Sequence, residues 1–204
     1  MKLLSFLSIA VLFASNSLNA QQREVQMNIN YSYAMPVGSF SDIVGNNSGR
    51  GFQASMLYGI SDKFAVGLGT GFQDFYQKNP RQLYKTSDGS DISAVVTYSV
   101  QTIPLLLQGK YYMSPEAAIQ PYAALGLGGN MIMFRELLGE FGDTETKFGF
   151  AARPEAGVFV PFRKNGEAGF NLGVSYNLMP FKNNAVTNLN SVAVSAGFKF
   201  MLRR

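Results

Sequence analysis

The sequence predicts an all-β chain, an eight-stranded antiparallel up-and-down transmembrane β-barrel, and three observations carry that prediction. The first is alternation. Across residues 25–35, Val25, Met27, Ile29, Tyr31, Tyr33 and Met35 fall on one face and Gln26, Asn28, Asn30, Ser32 and Ala34 on the other. A strand sends successive side chains to opposite faces, so unbroken period-two patterning marks a strand. The second is length. A tilted strand needs about 9–11 residues to cross a bilayer, roughly twice an ordinary globular strand. The third is the rhythm of the connections, which run long, short, long, short, as in barrels with short periplasmic turns and long outer loops.

Each element follows from the same reading. After the first strand, residues 36–49 are rich in Gly, Ser and Asn and read as a loop. Residues 51–59 form the second strand, with Phe52, Ala54, Met56 and Tyr58 on the apolar face, and residues 60–63 a tight turn. Residues 64–77 form the third, with Phe64, Val66, Leu68, Thr70 and Phe72 opposite Ala65, Gly67, Gly69, Gly71 and Gln73. A polar loop over residues 78–93 leads to the fourth strand, residues 94–112. Pro104 lies inside it and cannot donate to the ladder, which predicts a bulge. Residues 120–134 make the fifth strand, 135–146 a third long loop, 147–160 the sixth strand and 161–166 a turn. Residues 167–178 make the seventh strand and 191–202 the eighth, with a loop over 179–190 between them.

Composition narrows the class. Residues 1–20 have a basic start at Lys2, an apolar run to Ala14 and a small, polar end at Leu18-Asn19-Ala20, the pattern of a cleaved signal peptide. Residues 21–204 are then one outer-membrane β-barrel domain. Without Lys2 the chain has 16 basic and 13 acidic residues, scattered, with no basic stripe for nucleic acid. Its 204 residues include no Cys and no His. Disulfides, thiolate metal sites and a histidine base are therefore excluded.

Periodicity does not say which face points out. A soluble barrel would turn its polar face to water, but that face is mostly Gly, Ala, Ser, Asn and Gln. A solvated exterior is about 25–35% charged. The apolar stripes are also flanked by aromatics. Tyr58, Phe64, Tyr111, Phe170, Phe198 and Phe200 lie near the short turns, and Tyr31, Tyr33, Phe52, Phe72, Phe148 and Tyr176 near the long loops. Two aromatic girdles around an apolar band suit a bilayer, and only a closed barrel satisfies strand backbone there.

Several segments carry a family resemblance: YSYAMPVGSFSD, LYGISDKFAVGLGTGF, IPLLLQGKYY, PYAALGLGG and FAARPEAGVFVPF. The chain resembles the porin-family small outer membrane proteins with a beta-barrel domain, similar to OmpX, OmpW and the OmpA barrel, of a type common in the Bacteroidetes. The resemblance covers the mature chain. It implies the bacterial cell outer membrane as location and no shared catalytic site. It also implies recognition by the outer-membrane insertion machinery through the C-terminal strand, where Phe198, Phe200 and Leu202 keep the alternation and Arg203 and Arg204 depart from an aromatic end.

The lumen is where polar chemistry could sit. Arg153 and Glu155 share an inward face, and Lys110 and Lys199 point the same way near the periplasmic end. One reading is a buried ion-pair network completed by Gln26, Asn28, Asn30, Gln73, Asn130 and Asn171. The other is a charged constriction in a narrow channel. Inward glycines at 67, 69, 71, 126 and 128 either make room for Tyr122, Arg153 and Phe159 or leave a cavity. No cofactor is expected. The carboxylates Asp88, Asp91, Glu140, Asp143 and Glu145 read as solvated loop charges. The third loop either folds back on the rim or docks a partner. Lys78, Arg81 and Lys85 are placed to meet lipopolysaccharide phosphates. The expected function is a non-enzymatic structural or interaction protein, monomeric, with a largely plugged lumen and no nucleic-acid partner. The alternative is a small-solute channel through the lumen.

Overall fold

The computed structural model describes residues 24–85, 91–138, 141–163, 168–181 and 187–202. The expected leader, the domain start at Gln21, the terminal arginines and the loop carboxylates Asp88 and Glu140 lie outside them. Among these residues ten strands are formed: β1 (Val25–Pro36), β2 (Gly51–Gly59), β3 (Phe64–Lys78), β4 (Gln82–Lys85), β5 (Asp91–Ala94), β6 (Val96–Tyr112), β7 (Gln120–Leu138), β8 (Phe141–Pro161), β9 (Ala168–Asn177) and β10 (Ser191–Leu202). Eight of them close into an antiparallel barrel in which β1 pairs with both β2 and β10. The other two, β4 and β5, pair only with each other, inside what the sequence reads as a loop.

The alternation decides the two faces. Along β1, Asn28, Asn30, Ser32 and Ala34 are buried while Ile29, Tyr31 and Tyr33 are exposed. The same holds around the wall, with Leu68, Leu107 and Leu127 outward at paired positions of β3, β6 and β7. Members of both aromatic sets face out, among them Tyr58, Phe64, Tyr111 and Phe198 at one end and Tyr31, Phe52, Phe148 and Tyr176 at the other. The wall is therefore inside-out relative to a soluble barrel.

Two expectations are corrected. The bulge at Pro104 does not form. Thr70 pairs with Leu105 and Gln73 with Thr102, so no residue is inserted and pairing lapses only between them. A proline removes one donor without lengthening its strand. Thr70 compensates by donating its hydroxyl to the Pro104 carbonyl over 2.9 Å. The expected third loop is the larger correction. Pairing of β7 with β8 runs on through Phe134–Glu145 and Glu136–Asp143 to Leu138–Phe141. Period-two pattern persists through these residues, and a hairpin outside the bilayer needs no apolar outer face.

Strand lengths divide the barrel. β2 and β9, at 9 and 10 residues, just span a membrane. β3, β6, β7 and β8, at 15, 17, 19 and 21 residues, rise beyond the rim at the long-loop end as a four-stranded overhang.

Candidate functional site in the barrel lumen

Inward positions on five strands fill the half of the lumen nearest the short turns. β6 brings Lys110 and Tyr112, β7 Tyr122, β8 Glu155 and Phe159, β10 Lys199 and β1 Gln26. Lys110, Tyr112, Tyr122, Phe159 and Lys199 are all 3% exposed or less. The two ammonium groups rest on aromatic faces. Lys110 Nζ is 3.9 Å from the Tyr122 ring centroid, and Lys199 Nζ is 3.6 Å from that of Phe159 and 4.6 Å from that of Tyr112. Desolvated cation–π contacts of this kind are worth about 2 kcal/mol or more each. Lys199 also donates to the Tyr112 hydroxyl (3.4 Å), which donates to Gln26 Oε1 (2.9 Å). Tyr122 donates to Glu155 Oε1 over 2.8 Å.

All four charged residues singled out from the sequence are thus inward and buried, but they are not joined as expected. Arg153 and Glu155 form no ion pair. Arg153 Nε donates instead to Asn177 Oδ1 (2.7 Å), whose Nδ2 donates to Ser191 Oγ (3.1 Å). The two ion pairs among the described residues, Arg50–Asp74 and Glu145–Lys147, lie toward the long-loop end. Strand geometry separates the expected pair. Their Cα partners on β9 are Ser175 for Glu155 and, two residues on, Asn177 beside Arg153. Arg153 therefore meets its cross-strand neighbour Asn177, while Glu155 accepts from Tyr122 of β7 and leaves Ser175 Oγ without a partner.

The amides complete the expected hydrogen bonds only in part: their Nδ2 and Nε2 groups donate, but Asn28, Asn130 and Asn171 each keep a buried oxygen without a partner. Asn28 Nδ2 donates to Ser55 Oγ (3.1 Å), Asn171 Nδ2 to Asn30 Oδ1 (3.4 Å) and Gln73 Nε2 to Ser48 Oγ (2.7 Å). The glycines divide differently. A Cβ at Gly67 or Gly128 would meet neighbouring backbone carbonyls, at 2.0 Å and 2.1 Å, so those two allow close strand approach. The space for Tyr122 comes from Gly157 and Gly173, where a Cβ would lie 2.6 Å and 2.8 Å from its hydroxyl oxygen.

The long-loop end is filled by a different material. Phe75, Val100, Ile132 and Phe134 line the inner face of the overhang, and Phe40, Val44, Met179, Phe181 and Leu189 fold in from the first and last loops to pack on them. Phe40 meets Phe75 edge-on at 4.8 Å, and Phe181 stacks on Phe134 at 6.2 Å. The two loops are tied to each other, Val37 N–H donating to the Asn190 carbonyl at 3.0 Å and Ser39 Oγ lying 3.0 Å from Thr187 Oγ1. The sequence reading missed this cluster. Its signal was parity: counted from Gln73, Lys110 and Asn130, the positions of Phe75, Val100, Ile132 and Phe134 are inward. Between the two fillings lies a cavity of about 10 Å³, with Arg153, Asn177, Ser191, Ser32, Gln53 and Thr102 among its lining. That is room for about one water-sized occupant.

A closed antiparallel barrel with an apolar outer band, aromatic borders and a polar, close-filled interior defines a membrane-spanning β-barrel protein. The chain belongs to the outer membrane protein beta-barrel domain family, whose model matches residues 4–200. Among solved structures it is similar to Neisserial surface protein A, with 17% identity, 89% of this chain and 98% of that chain covered, and a TM-score of 0.52. It is similar also to OprG from Pseudomonas aeruginosa, with 17% identity, 90% and 98% covered, and a TM-score of 0.52. These likenesses extend to the fold. No curated protein sequence matches the chain.

Proposed function

We propose that this chain is exported by a cleaved signal peptide to the bacterial outer membrane. There it acts as a non-enzymatic structural or interaction protein whose lumen is closed. The observation that supports closure is the double filling: a cation–aromatic layer near the short turns and an apolar layer under the first and last loops. The part that meets the outside is then the overhang of β3, β6, β7 and β8, with Arg50, Lys78 and Arg81 around it to meet lipopolysaccharide phosphate. Outward Phe198 and Phe200 on β10, clustered with Phe162 and Phe170, support recognition by the insertion machinery.

The test is conductance of the refolded mature barrel in a planar bilayer, with folding checked by heat-modifiable gel mobility. Folded protein that leaves the bilayer silent, and that stays silent as Phe40→Ala because the cation–aromatic layer still fills the other end, is the expected pair of results. Discrete openings of the unaltered barrel that change in size with Arg153→Ala would make it a narrow channel instead.

A further inference from the structure

The lumen holds more basic than acidic side chains. Among the described residues, its buried lysine, arginine and carboxylate groups are Lys110, Arg153, Lys199 and Glu155, three basic groups to one carboxylate. The lysines rest on aromatic rings and Glu155 is engaged by Tyr122. Arg153 differs. It spends only Nε, on Asn177, and its terminal nitrogens make no hydrogen bond to a described residue. No carboxylate of the described residues lies within 4.0 Å of it. Yet Arg153 is one of the residues that line the lumenal cavity.

The rest of that lining mixes apolar residues such as Phe72 and Met179 with polar ones, of which two hydroxyls keep a hydrogen to give. Ser191 Oγ accepts from Asn177 Nδ2 (3.1 Å) and Ser32 Oγ accepts from Gln53 Nε2 (3.3 Å). A hydroxyl that accepts from an amide keeps its own hydrogen to give. The cavity is thus bordered by a guanidinium fork and two hydroxyl donors, inside a region with more basic than acidic groups. Burying a charge without a partner is costly, and a counter-ion in such a place relieves that cost.

We propose that this cavity is an anion site, and that its occupant is a single halide ion held by Arg153, Ser32 and Ser191. The size selects the class. A cavity of about 10 Å³ is roughly one water-sized particle, so a monatomic chloride or bromide needs only a small outward shift of the lining, where sulfate, phosphate or a carboxylate needs a far larger one. The site does not depend on whether the lumen conducts.

Bromide is the probe. Crystals of the mature barrel grown in sodium bromide should show an anomalous peak at hydrogen-bond distance from the Arg153 terminal nitrogens. A cavity with no peak there, whatever bromide lies on the surface, overturns the proposal. In micelles, replacing gluconate by bromide at equal ionic strength should raise the apparent unfolding midpoint saturably, by about 3–5 °C near ten times the dissociation constant. Arg153→Met should abolish that rise. If that variant does not fold, the pair Ser32→Ala and Ser191→Ala, which keeps the arginine, should lessen it at least several-fold. An undiminished rise in whichever variant folds would mean a general salt effect and sink the idea.

Discussion

The two ends of this lumen are filled by opposite means. Near the short turns the filling comes from the strands themselves, at inward positions set by strand parity, and it is polar and cationic. At the long-loop end the filling comes largely from loops, and it is apolar. Strand length explains the difference. Where all eight strands are present, the interior is narrow, and side chains from facing walls fill it. Where β1, β2, β9 and β10 have ended and β3, β6, β7 and β8 continue, the overhang has an inner face with no opposite wall. Apolar residues on that face need cover, and the loops leaving the short strands supply it.

Removing the one inward carboxylate should have the largest effect. Glu155→Gln removes the one buried carboxylate of the described residues from a lumen holding three buried basic groups, and weakens the Tyr122 bond. Breaking a buried charge arrangement costs about 3–5 kcal/mol, to be read from urea unfolding of the refolded barrel. A loss under about 1 kcal/mol would show that water reaches this layer and screens it.

The apolar end should respond next and in another way. Phe40→Ala removes the side chain that meets Phe75, at a cost of about 3 kcal/mol if the site does not collapse. Because Phe40 belongs to a loop, the cost should appear as undocking. Amide exchange should rise over residues 38–48 while the urea midpoint of the barrel holds. A drop in the barrel midpoint of the size seen for Glu155→Gln would erase the distinction between the ends.

Tyr112→Phe is a finer probe of the polar end. It keeps the ring under Lys199 and deletes the hydroxyl that bridges Lys199 and Gln26, for about 1–2 kcal/mol. The smallest effect is expected from Lys199→Met. That change trades a cation–π contact for relief from a second buried cation, so unfolding should move by less than about 1 kcal/mol, in either direction.

Much of this protein was legible before any coordinates. Period-two alternation is a local property of strands, so β1, β2 and β10 were read to within a residue, and their parity assigned the inside and outside of the wall. Arg153, Glu155, Lys110 and Lys199 were placed inward for the same reason. Their partners were not legible, because partners lie on other strands at distances that register sets. The pairing of Lys110 with the Tyr122 ring, of Glu155 with the Tyr122 hydroxyl and of Arg153 with Asn177 needs the barrel closed. The hairpin over the expected third loop was missed because turn-like composition outweighed an alternation that continued beneath it.

What the sequence by itself determined is the set of eight barrel strands, their two faces and a length sufficient to cross a bilayer, all encoded in neighbouring residues. What only the tertiary structure decided is how the interior is filled. The packing of Phe40, Met179 and Phe181 at the long-loop end joins segments about 140 residues apart, and the cavity at Arg153 brings β1, β8, β9 and β10 to one point. Long-range packing of that kind has no local signature, since it is set by barrel closure and by which strands outlast their neighbours.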